Sequence, residues 1–416
     1  MNTQNVDIAV IGGGCAGMSA ALAAKEQGVR DIVIFERSPY LGGVLRQCIH
    51  NGFGIHRYGE DLTGTQYARR LTDGIANTDI GVETDTIVLD VSKDKTLTVM
   101  NRRNGLTNYH ADALIFATGC RERSRGALLI PGSRPAGILC AGTAQRYMNL
   151  EGYLVGQKIV ILGSGDIGLI MARQFVLEGA DVIAVAEVMP YSGGLMRNIV
   201  QCIEDFDIPI YYRTTATRIV GEKRVEGVYL AEVGRERKPV PSTERFVACD
   251  TLVLSVGLIP ENELGYDMGL AVSPSTGGLI VDDSFQTEID GVFACGNGLH
   301  VHDLVDFVSM ESETAGENAA LYVSGGLRPG HDHVTVREGF GVRGAVPQKI
   351  RLGACDDTVK LQFRPTDRFY DKYIAVYSGE RLIQRKKCRV MTPGEMCGIE
   401  INRADVKDTI TVQVVE

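Results

Sequence analysis

Residues 6–36 read VDIAVIGGGCAGMSAALAAKEQGVRDIVIFE. Val6–Ile11 is a short apolar run of strand type, GGGCAG leads it into the alanine-rich segment Met18–Lys25, and a second apolar run, Asp31–Phe35, ends on Glu36. Strand, glycine turn, helix and strand within about 30 residues make one βαβ unit. In the turn, Gly12 permits the sharp reversal, Gly14 lets backbone approach a pyrophosphate, and Gly17 lets helix and strand pack closely. The free N–H groups and partial positive charge at the helix start suit phosphates. Glu36 falls where a carboxylate accepts from both hydroxyls of an adenosine ribose.

The pattern recurs in the middle of the chain. Lys158–Leu162 (KIVIL) leads into GSGDIG, a helical stretch over Leu169–Glu178 and the strand Asp181–Ala186 (DVIAVA), ending on Glu187. Glu36 lies 24 residues after Gly12 and Glu187 lies 24 after Gly163, a shared spacing that marks an internal duplication. Each unit is followed by a polar stretch read as a β-meander, with Asn104–Gly105 as a hairpin turn in the first. A buried strand ending in glycine comes next: Asp112–Gly119 (DALIFATG) and Asp250–Gly257 (DTLVLSVG).

The expected fold is α/β: two Rossmann-like dinucleotide-binding domains, one inserted in the other, plus a small C-terminal all-β domain. The outer domain is expected over residues 1–125 and 260–327 and the inserted one over 150–258. After a linker at Gly325–His333, short alternating runs such as Val359–Arg364, Tyr373–Tyr377 and Thr409–Val415 place the β domain at 334–416. At the second cradle Gly163, Gly165, Gly168 and Glu187 repeat the first, and the Glu187 carboxylate would repel the 2′-phosphate of NADP. Val188 follows it and no arginine stands beside it in sequence, so NAD is the favoured ligand; an adenylate-only pocket stays open.

Composition narrows the function. The 416 residues carry 43 Lys+Arg against 52 Asp+Glu, a net charge of −9, which speaks against binding nucleic acid. No apolar stretch approaches the roughly 20 residues of a transmembrane helix, and Met1–Val6 holds no Lys or Arg to begin a signal segment, so a cytoplasmic protein is expected. Ten cysteines form no CxxC pair, which argues against a zinc site or a disulfide framework and for reduced, mostly buried thiols. His300, His302, Asp303 and Asp306 (HVHDLVD) have the residue types of a metal cluster. They precede a helical stretch, and the reading preferred is that they cap it or line a flavin and partner surface, so no metal ligand is assigned.

With these motifs in place, residues 5–327 resemble the two-dinucleotide-domain flavoproteins of the pyridine nucleotide-disulfide oxidoreductase-like group. The resemblance implies FAD in the outer domain, with Gly12, Gly14, Cys15, Ala16, Gly17, Glu36 and Arg37 holding its pyrophosphate and adenosine. Gly42, Gly43, Val44 and Leu45 match the loop under the flavin half, Val88 a backbone contact to adenine, and Ala117, Thr118 and Gly119 the ATG element. Gly296 and Asn297, closing GVFACGN, match the late motif at the ribityl chain. Gly163, Gly165, Asp166, Ile167 and Glu187 are the corresponding residues for NAD.

Three positions depart from that group. Its disulfide members carry two cysteines after the equivalent of Gly43, whereas VLRQCIHNGFG holds only Cys48, so no dithiol relay is expected; Cys48 or His50 near the flavin could still act, but neither has an evident partner in sequence, so packing or cofactor contact is the reading preferred and no catalytic residue is assigned. Asn297 stands where Asp is usual and can still accept through its carbonyl. Ile170 stands where Glu is common in the nicotinamide motif.

The long segments GGVLRQCIHNGFGIHRYGEDLTG, GSGDIGLIMAR and HVHDLVDFVSMESETAG resemble a narrower set: FAD/NAD oxidoreductases that accompany a glycerol-3-phosphate dehydrogenase-like flavoprotein and a small cysteine-rich protein. More distantly they are similar to the flavoprotein subunits of opine, proline and hydrogen-cyanide-forming dehydrogenases. The resemblance implies hydride transfer between NAD(H) and FAD, an oligomeric assembly and a partner flavoprotein dehydrogenase subunit. Two alternatives remain at this level: a non-catalytic flavin- and adenylate-binding scaffold subunit, and a stand-alone NADH oxidase.

Overall fold

The computed structural model describes residues 3–327, 332–354 and 356–416. Part of the expected linker Gly325–His333 and the thiol of Cys355 lie outside the described residues. The chain divides into two compact units, Met1–Arg46 with Asn51–Cys120 and Pro260–Glu416, and Gln47–His50 with Arg121–Ile259.

In the first unit the apolar run at the start becomes strand Thr3–Ile11, which pairs in parallel with Ile32–Phe35 on one side and with Gly105–Phe116 on the other. Ile8 and Val10 are fully buried because both faces of this central strand are covered, as a parallel sheet requires. Gly81–Glu83 extends one edge, Val292–Ala294 pairs with Gly105–Phe116, and Ile87–Val91 and Thr96–Asn101 complete a seven-stranded sheet as an antiparallel meander. The hairpin there is one residue longer than an Asn–Gly turn. Asn101 pairs with Gly105, and the Asn101 side-chain carbonyl accepts from the N–H groups of Arg103 and Asn104, so Gly105 begins the strand at φ +63.

Helix Cys15–Glu26 lies over this sheet and packs on the long helix Val305–Val323. The approach is close because Gly316 carries no side chain: a Cβ there would stand 2.1 Å from the carbonyl oxygen of Ala20. Ala20, Ala24, Ala315 and Ala319 line the same core and keep the two backbones near each other.

The C-terminal strands form a five-stranded sheet (Lys349–Arg351, His333–Glu338, Ile410–Val415, Phe369–Ser378, Arg381–Met391) and a three-stranded one (Val342–Val346, Thr358–Pro365, Cys397–Asn402). Leu361, Phe363, Ile374, Val376, Ile399 and Val412 fill the core between them. These strands are tied into the first unit. The Gln348 side chain accepts from Val281 N at 3.0 Å, Asp283 bonds Arg351 and Arg403, and Arg364 donates to Val301 O and to the Asp303 carboxylate.

The second unit is built on a five-stranded parallel sheet in the order Ile138–Cys140, Thr251–Leu254, Lys158–Leu162, Asp181–Ala186, Ile210–Tyr211. A three-stranded antiparallel sheet, Thr214–Val220, Gly227–Glu232 and Arg245–Ala248, accompanies it. Helix Asp166–Leu177 starts directly at the glycine motif, three residues before the expected Leu169, because Gly165 serves as its N-cap. Helix Cys15–Glu26 likewise starts on Gly14 instead of at Met18.

Candidate functional site

The first cradle is assembled from four segments of one unit. Gly12 at φ +112 turns the chain out of its strand; a Cβ there would lie 2.3 Å from Ala117 O, and one on Gly17 would lie 1.9 Å from Gly12 O. Both positions exclude every side chain, which is how strand, loop and helix come so close. Gly14 has open space where its Cβ would point and caps the helix with no side-chain hydrogen bond. The first N–H groups of helix Cys15–Glu26 therefore face that opening without an acceptor from a capping side chain, the arrangement that receives phosphate.

Around this opening stand the other motif residues. Gly42 N donates to Gly13 O at 2.8 Å, and a Cβ on Gly43, at φ +53, would touch Gly14 Cα at 3.1 Å, so the Gly42–Leu45 loop lies against the cradle. Leu45 is buried in the core and Val44 is exposed. Gly296 abuts Ala16, where a Cβ would meet the Ala16 methyl at 2.6 Å, and Gly298 lies against Thr118, whose hydroxyl donates to Glu261 O at 2.5 Å. Ala117 N bonds Ile11 O at the strand end and Gly119 takes φ +70. Asn297 accepts His302 N through Oδ1 at 3.0 Å. Arg37 is exposed, and Val88 sits in the meander opposite Val99.

Glu36, 7% exposed, accepts from Gly13 N at 2.8 Å on one oxygen and from Ser38 N at 2.7 Å on the other. The second cradle repeats these two backbone bonds. Glu187, also 7% exposed, accepts from Ser164 N at 2.9 Å and from Met189 N at 2.7 Å. Gly163 takes φ +97 with Ser255 O where a Cβ would go, and Gly165 caps helix Asp166–Leu177 with no side-chain bond. Asp166 does not point into the cradle mouth: its carboxylate accepts Leu195 N at 2.8 Å and Asn198 Nδ2 at 2.6 Å, tying the Leu195–Asn198 segment to the glycine motif. Ile167 and Ile170 pack against the unit's core. Thus Asn198, Ser192 and Ser164 shape this site although only Ser164, inside GSGDIG, lies in a recognisable motif.

Among the described residues, which hold nine of the ten cysteines, none is in a disulfide. Burial pushes the Cys15 thiol up to about 11 and the Cys295 thiol up to about 12, so both stay protonated at neutral pH. Cys48 is buried with its sulfur 3.8 Å from the Gln145 amide oxygen, and His50 is pushed down to about 4 by burial and by Arg197.

The HVHDLVD segment departs from its expected capping role. Helix Val305–Val323 has no side-chain cap; Asp306 instead accepts Gly54 N at 3.1 Å and Arg57 N at 3.0 Å, and Asp303 accepts Arg364 and Met396 N. His300 and His302 both turn to Glu311, a residue no sequence motif singles out because it stands two to three helical turns further on.

A model of the family described as pyridine nucleotide-disulphide oxidoreductase matches residues 6–319, the span that holds both cradles. The chain belongs to this family. As a member, this oxidoreductase is an FAD-dependent enzyme that uses NAD(P)H. It is 24% identical over 295 residues to a thioredoxin reductase of Treponema pallidum (70% of this chain, 88% of that one). It is also 24% identical over 341 residues to one of the subunits of the opine oxidase of Agrobacterium tumefaciens (76% of this chain, 64% of that one). The fold matches the crystal structure of T. acidophilum thioredoxin reductase with a TM-score of 0.63 at 22% identity, covering 77% of this chain and 99% of that structure. The oxidoreductase differs from a dithiol enzyme at Cys48. Among its described residues no helix is long and apolar enough to cross a membrane.

Proposed function

We propose that this oxidoreductase moves a hydride between NAD(H), held by Gly163, Gly165 and Glu187, and FAD, held by Gly12, Gly14, Gly17, Glu36 and Gly296–Asn297. Electrons then pass to or from a partner flavoprotein dehydrogenase subunit of the glycerol-3-phosphate dehydrogenase-like kind, accompanied by a small cysteine-rich protein. The observation that carries the reading is the matching pair of backbone bonds at Glu36 and Glu187, each a buried carboxylate fixed at the end of its strand with acceptor capacity left for a ribose. Flavin supplies the hydride-accepting chemistry, and the protein's part is to hold each dinucleotide and exclude water. The single cysteine in VLRQCIHNGFG, and the lack of a disulfide among the described cysteines, support direct electron transfer to a partner over dithiol exchange.

Anaerobic mixing of the FAD-loaded protein with NADH tests the first half: bleaching of the flavin band within the turnover time is expected, and an unchanged band would refute it. Co-purification of the chain with its dehydrogenase partner, and substrate-driven NAD reduction only in the complex, tests the second. Rapid aerobic NADH oxidation by the isolated chain would favour the oxidase alternative, and an adenylate eluting in place of NAD would favour the scaffold.

One observation favours NADP as a second reading. A cavity of about 170 Å³ beside Glu187 is lined by Val188, Met189, Pro190, Arg213, Arg235 and Arg237, and it brings together arginines that are far from Glu187 in sequence. Comparing the affinities of 2′,5′-ADP and 5′-AMP separates the readings, since only a phosphate-binding pocket prefers the former.

A further inference from the structure

We propose that His300, His302 and Glu311 form a binding site for one divalent first-row transition cation, held by the Nε2 atoms of the two imidazoles and by Oε2 of the carboxylate. The histidines lie on the loop that leaves Gly296–Gly298, and Glu311 comes from helix Val305–Val323. Both Nε2 atoms converge on the same oxygen, His300 at 2.5 Å and His302 at 3.2 Å, with the rings 4.2 Å apart. The three would-be ligand atoms all lie within 4.8 Å of one another.

Charge is the first argument. The three side chains are 4%, 1% and 3% exposed. Among the described residues the bonds to the Glu311 carboxylate come from His300, His302 and Gly296 N, and none comes from a lysine or arginine. A buried carboxylate is ordinarily paired with a cation or bound to a metal. The guanidinium that faces this cluster, Arg364, is already committed to Asp303 and Val301 O.

Donor chemistry and geometry agree. Two imidazole nitrogens and one carboxylate oxygen suit zinc or iron(II), with further positions left for solvent. Bonds of about 2.0–2.2 Å place ligand atoms roughly 3 Å or more apart. The His302–Glu311 separation already meets this, and His300 must withdraw by only about half an ångström. Gly296 N, bonded to Oε1 of Glu311 at 2.9 Å, orients the carboxylate as an outer partner does at a metal centre. Asp303 and Asp306 are engaged elsewhere and are excluded as ligands.

The test is metal uptake by tag-free, FAD-loaded, full-length protein, measured by mass spectrometry of the metal after equilibrium dialysis against zinc(II) or, without air, iron(II). The wild-type chain is expected to retain about one equivalent, and Glu311→Gln or His300→Asn less than about a tenth of that. X-ray absorption at the metal edge of the wild-type protein is expected to show imidazole scattering, a readout that does not depend on whether a variant folds. The proposal is overturned if neither ion is retained by the wild-type protein, if Glu311→Gln binds as much as wild type, or if the bound ion shows no imidazole.

Discussion

Ser164 gives Glu187 two hydrogen bonds, from its backbone N–H at 2.9 Å and from its hydroxyl at 2.6 Å, both to the same carboxylate oxygen. The equivalent residue of the first cradle, Gly13, has no side chain and gives Glu36 only its N–H; a Cβ there would sit 2.4 Å from Leu41 Cδ2 and 3.0 Å from the Glu36 Cβ. The two sites are thus the same in backbone and different in how firmly the acid is held. Replacing Ser164 with Ala removes one charge-assisted bond worth about 1.5 kcal/mol, so the Kd for NADH is expected to rise about tenfold with FAD content unchanged. Fluorescence titration with NADH and a flavin count on the same sample check it.

Gly316→Ala is expected to destabilise the first unit. The new methyl would meet Ala20 O at 2.1 Å and Ala20 Cα at 2.8 Å, and both are backbone, so the helices have to separate. Overpacking of this kind costs about 3 kcal/mol, which a lowered melting temperature and faster FAD release would register. A wild-type melting curve for the variant would contradict the close approach described for helices Cys15–Glu26 and Val305–Val323.

Asp283 should make stability depend on acid. Burial alone pushes its carboxyl up, but Arg351, the Arg351 backbone N–H and Arg403 together hold it below the ordinary carboxylate range. A carboxyl with a lowered folded value contributes stability that is complete above its unfolded value of about 3.9 and is lost as pH falls through the folded value. Asp283→Asn is accordingly expected to cost about 3 kcal/mol at pH 7 in denaturant unfolding, with the gap to wild type closing below about pH 4.

Cys48 and His50 are expected to be dispensable for hydride transfer. Cys48→Ser should reduce its flavin with NADH within about twofold of the wild-type rate, since VLRQCIHNGFG holds no second cysteine for a dithiol relay. His50, at about 4, is already uncharged through the neutral range, so the wild-type rate of flavin reduction should show no inflection from this ring between about pH 5.5 and 8. A large loss in the Cys48 variant would require a thiol role.

What is legible in the sequence is local. Strands Lys158–Leu162 and Asp181–Ala186 match their apolar runs residue for residue, because runs bounded by glycine and acid carry their own signal. Both glycine-motif helices start three residues ahead of their apolar stretches, since a glycine loop that runs straight into a helix has no Ser, Thr or Asp cap to mark the boundary. The C-terminal strands are visible from alternation, but their order in two sheets depends on pairings across dozens of residues. Glu311 and Gly316 are hidden for the same reason. Their partners, His300 with Gly296 and Ala20, are fixed by tertiary approach, and Glu311 in SMESE looks like any solvated helix acid.

Arg364 reaches from a C-terminal strand to Val301 O and Asp303, five to seven positions past the glycine that abuts Ala16. Trimming the polypeptide to the length it shares with its shorter cousins would therefore not release a self-sufficient core. It would strip a guanidinium from the loop beside Asn297 and an amide from Val281, leaving raw polar edges at both places.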